Sequence, residues 1–401
     1  MINGNLVIGQ SGGPTAVINA SLVGVIREAK KQEFIENIYG MRWGIQGFLA
    51  EELVDLGAES EDELERIKNT PSSSLGSCRL KLTDGHLPQV LKVLQKYNIR
   101  YFFYIGGDDS QNTTHRVIEY CNSQGYELIG IGIPKTVDND LYGTDHTPGY
   151  SSAARYVALS MQQGGTLARD MQKVDPVLVY QAVGRDAGWL AASAALAKKY
   201  EADPPHLIYI PERPFDKDKF YADVERCYSK YGFVAISVGE GITYADGSPV
   251  SGTQVFDKFG NPEFGAMGGV SVAMVVKEMA CRHLDVRGEF QIVESLQMAA
   301  DDRVSPVDRE EAYQAGIEAV QLAAAGKSGL MVAFEREPGE SYKCNYISVP
   351  LLTVNEDKKK MPDEFIDDQN SFVTEAFLQY LRPLVGIMPR YGRLAYRPIQ
   401  G

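Results

Sequence analysis

Tyr101–Asp140 reads YFFYIGGDDSQNTTHRVIEYCNSQGYELIGIGIPKTVDND. Two runs in it, Tyr101–Ile105 and Leu128–Ile133, are apolar throughout, rich in β-branched and aromatic residues, and end in glycine or proline. Runs without alternation suit strands covered on both faces, as in a parallel sheet. The same pattern recurs at Leu6–Gly9, Val177–Tyr180, Leu207–Ile210, Phe233–Val238 and Leu330–Ala333. Helical patterns lie between them, including Ala16–Lys30, Glu61–Lys68 with Ser60 placed to cap it, and Arg309–Ala325. Strands and helices alternating in this way predict βαβ units and an α/β chain of doubly wound, mainly parallel sheets. A length of 401 residues exceeds one ordinary core, so two domains are expected, with a boundary near residue 150. Tyr244–Pro262, rich in Gly, Asp, Pro and Ser, is expected as an irregular surface loop.

Composition narrows the function classes. A net charge of −13 disfavours nucleic acid as a partner, because a phosphate backbone requires a basic footprint. A small anionic substrate is compatible, since a local basic pocket can sit inside an acidic protein. No apolar run approaches the roughly 20 residues that cross a bilayer, so no membrane partner is expected. MINGNLVIGQSGG lacks a basic leader region and reads as a first strand. Five widely spaced cysteines without a CxxC pair point to reduced thiols and a cytoplasmic setting.

In open α/β sheets ligands bind beyond the carboxyl ends of the strands, so the turns there should carry the chemistry. Gly9–Thr15 (GQSGGPT) follows the first strand. Its adjacent Gly12 and Gly13 allow backbone N–H groups close to an anion, or simply make a tight turn. Gly106–Ser110 (GGDDS) places Asp108 and Asp109 side by side. Adjacent carboxylates need a cation such as Mg²⁺ or a donor network, unless Asp109 or Ser110 merely caps the next helix. Pro134–Asp140 (PKTVDND) gathers Lys135, Asp138, Asn139 and Asp140. A lysine suits phosphate and an aspartate can take a hydroxyl's proton, although an Asx-rich turn has the same composition. Val183–Trp189 (VGRDAGW) offers Arg185 to a transferring phosphoryl group or to solvent. Ser237–Gly241 (SVGEG) offers Glu240 to a sugar hydroxyl or to a turn.

Taken in order, these turns resemble the phosphofructokinase family. GGDDS and PKTVDND are the most specific pieces, supported by LGSCRLKL (Leu75–Leu82), TDHTPGYSSAARY (Thr144–Tyr156) and VGRDAGW, and the similarity covers most of the chain. The resemblance implies a phosphofructokinase-like pair of domains. Residues 1–150, joined by part of the C-terminal region, would bind the donor phosphates, and residues 151–401 would bind the acceptor and form a C-terminal extension. It further implies that Gly12, Gly13, Arg79, Gly107 and Ser110 line the donor phosphates and that Asp108 holds Mg²⁺. Asp138 would be the base and Asp140 would orient the acceptor. Thr136 and Arg185 would attend the transferring phosphoryl group, with Val183, Gly184 and Glu240 on the acceptor side.

Asp109 and Lys135 bear on the donor. ATP-using relatives typically carry glycine at both positions. The aspartate would occupy and repel the α-phosphate site of a nucleotide, while the lysine would hold the far phosphate of pyrophosphate. Both residues therefore imply pyrophosphate. The acceptor side departs from the family pattern: Ser295 stands for an aromatic or histidine, Met298 for the arginine that binds a 6-phosphate, Pro176 for an arginine commonly lent by a neighbouring subunit, and Val183 for methionine. Each lost charged hydrogen bond would cost roughly 1.5–3 kcal/mol. Arg303, Arg309, Arg390, Arg393 or Arg397 could replace the charge.

The expected activity is thus Mg²⁺-dependent phosphoryl transfer from pyrophosphate to the 1-hydroxyl of fructose 6-phosphate. The departures leave a second reading open, in which the acceptor is an unphosphorylated sugar, polyol or nucleoside. A third, a non-catalytic regulatory subunit, sits poorly with the presence of Asp108, Asp138, Asp140 and Arg185. The resemblance also implies a homodimer or homotetramer.

Overall fold

The computed structural model of the chain describes residues 2–252, 255–256, 262–263, 270–339, 341–354, 357–395 and 399. Both apolar runs of Tyr101–Asp140 are strands, Ile99–Gly106 and Ile129–Pro134. They pair in parallel, with Tyr101 beside Ile129 and Gly106 beside Pro134. Strand Gly4–Gln10 flanks Ile99–Gly106 on the other side, also in parallel. These three strands form the centre of a seven-stranded sheet. Ile35–Met41 and Leu53–Asp55 complete one edge, Leu330–Arg336 and Cys344–Pro350 the other, and only the outermost strand on each side is antiparallel to its neighbour. A second, all-parallel sheet has four strands in the order Gly288–Ile292, Val177–Ala182, Val234–Gly239 and Leu207–Tyr209. The expected α/β class with mainly parallel sheets is the one the chain adopts.

The helices follow their local signals. Ile18–Ala29 occupies the centre of the expected Ala16–Lys30. Glu61–Lys68 is as expected, with Ser60 Oγ accepting from the Glu63 N–H at 3.2 Å. The helix expected over Arg309–Ala325 spans Pro306–Ala324. It starts earlier because Ser305 caps it and a proline in the first turn has no N–H to leave unpaired. Tyr244–Pro262 is only partly a loop, since Val255–Phe256 pairs antiparallel with Pro262–Glu263, and residues 257–261 lie outside the described set. No helix among the described residues is long and apolar enough to cross a membrane.

The 21-residue helix Tyr150–Asp170 leads from the large sheet into the small one. Its small residues Ala153, Ala154 and Ala158 let Trp189 and the C-terminal helix Glu375–Val385, through Phe377 and Leu381, close over it in one core. Two buried polar ties hold the start of this helix to helix Pro306–Ala324. The carboxylate of Asp308 accepts from the Gly149 and Ser152 N–H groups, both at 2.9 Å. The second tie is His146, fully buried, with Nδ1 2.7 Å from Asp145 and Nε2 2.7 Å from Glu311, whose other oxygen accepts from Tyr342. Burial opposes a charge on the ring, but the hydrogen bonds to Asp145 and Glu311 outweigh it and raise the His146 pKa above the ordinary imidazole value.

Breaking a buried pair by removing one partner is costly. We therefore expect Glu311→Ala to lower the urea unfolding midpoint by the equivalent of about 3–5 kcal/mol. Because the folded-state pKa of His146 is raised, its contribution is complete below the ordinary imidazole pKa of about 6.5 and is lost as pH rises through the raised value. The gap between wild type and variant should thus narrow on alkaline titration. A midpoint equal to wild type at low pH would remove this tie from the structure's supports.

Candidate active site

The parallel pairing brings three turns to one edge, because Gly4–Gln10, Ile99–Gly106 and Ile129–Pro134 are neighbours pointing the same way. In the first turn Gly12 has φ +75°, a left-handed value that favours glycine, and a Cβ there would sit 3.2 Å from Lys135 Nζ. The approach of that ammonium explains the close backbone. Lys135 Nζ donates to the Gly13 carbonyl at 2.6 Å, while its own N–H donates to the Gly106 carbonyl at 3.1 Å. One lysine thus ties all three turns. It is buried, and burial pushes its pKa down to about 8 against the pull of Asp138, Asp140 and Asp108.

The second turn opens helix Asp108–Ser123 with two carboxylates in its first turn, where the helix dipole favours them. The Asp109 N–H donates to Asp108 Oδ1 at 2.8 Å. Ser110 is buried beneath Gly106, and Gly107 forms the N-cap. Asp109 projects outward, its side chain 74% exposed with Lys81 3.8 Å away. Arg79 is also exposed, on the same Leu75–Leu82 stretch as Lys81.

In the third turn Asn139 takes a left-handed φ of +56°, which turns the chain so that Asp138 and Asp140 flank it. The Asp138 N–H donates to Thr136 Oγ1 at 3.1 Å, but its Oδ1 is buried without a hydrogen-bond partner. Burial first, and Asp140 second, raise the Asp138 pKa to about 7, although Arg185, Lys358 and Lys135 pull it down. A carboxyl poised near neutrality with a free buried oxygen suits a proton acceptor.

The small sheet supplies the opposite wall. Gly184 has φ +131°, and a Cβ there would lie 2.5 Å from the Ala187 carbonyl, so only glycine fits. Its N–H donates to Glu240 Oε1 at 3.3 Å, and the Glu240 N–H donates to the Ala182 carbonyl at 3.2 Å. Val183 packs against the main core, whereas Arg185 and Asp186 are exposed beside the acidic cluster.

Two residues absent from the sequence expectations complete the site. Lys358 Nζ lies 3.0 Å from Asp108, 2.9 Å from Asp140 and 3.9 Å from Asp186. Burial acts against the ionised form of Asp108, but Lys358 overrides it and lowers its pKa below the usual carboxylate value. Lys359 is directed into the core: its Nζ donates to Asn139 Oδ1 and the Thr144 carbonyl, both at 3.1 Å, and lies 5.0 Å from the Trp189 ring centre. No motif flagged either lysine, which sit in EDKKKMP.

The substituted acceptor positions look different in three dimensions. Met298 Sδ lies 3.6 Å from where a Gly13 Cβ would stand, so the methionine abuts the first turn. Of the arginines that could replace it, the four described lie elsewhere. Arg303 donates to Ser160 at 2.7 Å and Arg309 to Asp301 at 2.6 Å, while Arg390 and Arg393 line a separate cavity with Arg169 and Asp203. Arg397 lies outside the described residues.

The chain is 41% identical over 394 residues to the pyrophosphate–fructose 6-phosphate 1-phosphotransferase of Rhodospirillum rubrum, covering 96% of this chain and 95% of that protein. It is 31% identical to a sulfofructose kinase of Alkalicoccus urumqiensis, with 96% of each covered. A crystal structure of a pyrophosphate-dependent phosphofructokinase from Marinobacter aquaeolei superposes with a TM-score of 0.86 at 35% identity, covering 99% of this chain and 98% of that one. Residues 5–323 match the Phosphofructokinase family, and the chain belongs to it.

Proposed function

We propose that the chain transfers a phosphoryl group from pyrophosphate to the 1-hydroxyl of fructose 6-phosphate, releasing orthophosphate. The observation that carries this reading is the joint presence of Asp109 at the mouth of the donor helix and Lys135 beneath the donor loop, in a chain 41% identical to a relative named for that reaction. Further relatives with the same name, at 36–37% identity, favour fructose 6-phosphate over the other acceptors considered above. The division of labour follows the sheets: residues 1–150 with the returning strands near 330–350 hold the donor, and residues 151–401 receive the acceptor. The exposed Phe290 on edge strand Gly288–Ile292, together with exposed Leu296, supports a homodimer or homotetramer. Five free cysteines suit a reducing cytoplasmic setting.

In this reading the donor phosphates lie against Gly12, Gly13, Gly107 and Ser110, with Arg79 at the rim. Asp138 accepts the proton of the 1-hydroxyl while the oxygen bonds to phosphorus and the bridging P–O bond of pyrophosphate breaks. Asp140 orients the acceptor, Thr136 and Arg185 face the transferring group, and Val183, Gly184 and Glu240 hold the sugar. The residues fit Mg²⁺: Asp108 is an ionised, half-exposed carboxylate at a helix N-terminus that already accepts a cation, the ammonium of Lys358. Magnesium typically takes one or two carboxylates and completes its shell with phosphate oxygens and water. When bound, it would supply neutralisation of the pyrophosphate charge.

Three outcomes are expected. Asp138→Ala should lower kcat by about 10²–10⁴-fold with unchanged thermal stability, and an unaltered kcat would dismiss it as the base. Asp138 must be unprotonated in the forward reaction and protonated in the reverse. Forward rates should therefore fall as pH drops through about 7, and reverse rates should fall as pH rises through it. Rate profiles in both directions that lack this opposition would sink the assignment. Finally, the wild type should use pyrophosphate with fructose 6-phosphate in preference to ATP, and Asp109→Gly combined with Lys135→Gly should shift the kcat/KM ratio toward ATP. A wild type that prefers ATP, or turns over only other acceptors, would overturn the proposed function.

A further inference from the structure

We infer that Lys358 is a tethered counter-cation that bridges Asp108 and Asp140 in the free enzyme and releases Asp108 when a metal ion binds. The inference deepens the reading above, because it takes from it the metal-holding role of Asp108.

Two carboxylates on different turns, Asp108 and Asp140, each lie within 3.0 Å of a single ammonium, and Asp186 from the small sheet is 3.9 Å away. Without a cation between them, such groups repel one another. The backbone around Lys358 is fixed. Leu141 and Lys358 form a bridge, the Lys359 N–H donates to the Asp140 carbonyl at 2.9 Å, and the Met361 N–H donates to Glu212 at 3.0 Å. Glu212 in turn accepts from the Gly188 N–H, so the segment is stitched to the arginine-bearing turn as well. The side chain itself is 39% exposed, on a flexible four-carbon stem. Its base cannot leave, but its tip can swing.

A divalent ion on Asp108 and an ammonium 3.0 Å from the same carboxylate would repel each other. Arrival of the ion therefore requires the tip of Lys358 to withdraw, and a donor phosphate oxygen is the anion within its reach. Lys358 thus lowers the affinity of the empty site for metal while adding a positive charge once the donor is in place. Metal and donor are favoured together over metal alone.

Isothermal titration of Mg²⁺ into the substrate-free enzyme tests this, with Asp108→Asn to identify the site. Lys358→Met should bind Mg²⁺ at least about fivefold more tightly than wild type, while its kcat with pyrophosphate falls about tenfold or more. Lys358→Arg should keep wild-type metal affinity and recover part of kcat. Lys358→Gln, a second neutral variant, gives the same metal reading where the methionine variant does not fold. Unchanged or weaker Mg²⁺ binding in the neutral variants overturns the inference and leaves the proposed reaction standing. Mg²⁺ binding that survives Asp108→Asn overturns the metal role on which it rests. Because the titration needs neither donor nor acceptor, it reads correctly even if the acceptor assignment fails.

Discussion

The structure depends on accommodating several carboxylates in a small, partly buried space. Asp108, Asp138 and Asp140 converge because three parallel strands end side by side. Left alone, burial and mutual repulsion would protonate some of them. Two lysines answer this: buried Lys135, bonded to the Gly13 carbonyl, and half-exposed Lys358, shared by Asp108 and Asp140. The outcome is differential. Asp108 falls below its ordinary pKa, whereas Asp138, whose Oδ1 has no hydrogen-bond donor, rises to about 7. Two carboxylates with opposite shifts are what a metal ligand and a proton acceptor respectively require.

Rigidity of the third turn follows from its neighbours rather than from its own sequence. Asn139 holds a left-handed conformation because its side chain is engaged at both ends, donating to Tyr380 and accepting from Lys359. Tyr380 belongs to the C-terminal helix and also donates to the Asp145 carbonyl at 2.9 Å. Asp145 pairs with His146, which is bound to helix Pro306–Ala324 through Glu311. The turn that carries Asp138 is thus braced by elements more than a hundred residues downstream. Burial pushes Lys359 down to about 7, the mark of a lysine placed for structure and not for solvent.

These two features also explain how much could be read from the chain alone. The central strands and the turns after them were legible because the runs are apolar on both faces and end in glycine or proline. Several outer strands were not. Ile35–Met41 and Gly288–Ile292 carry Glu, Asn or Gln on exposed faces, and Cys344–Pro350 alternates without a clear apolar face. Lys358 escaped notice for a different reason. It lies 218 positions from Asp140 in a run of three lysines, and such runs are ordinarily solvated surface. Only the fold places one of those charges on the acidic cluster and the next in the core. Met298 likewise reads as a lost arginine, yet the structure puts its sulfur against the turn at Gly13.

The donor preference is better understood as electrostatic than as steric. Asp109 sits in the first turn of helix Asp108–Ser123, where the unpaired N–H groups and the dipole attract an anion. An extended phosphate chain would seek that position. Here a tethered carboxylate is already present, largely exposed and only loosely paired with Lys81 at 3.8 Å. An exposed side chain can swing aside, so volume alone would exclude little, but its charge remains wherever it turns. Lys135 completes the asymmetry by concentrating positive charge at the inner end of the donor path. With the roles proposed above, a two-phosphate anion would meet the lysine without extending past Asp109. A longer chain must pass the carboxylate, and there the helix has no favourable field left to offer.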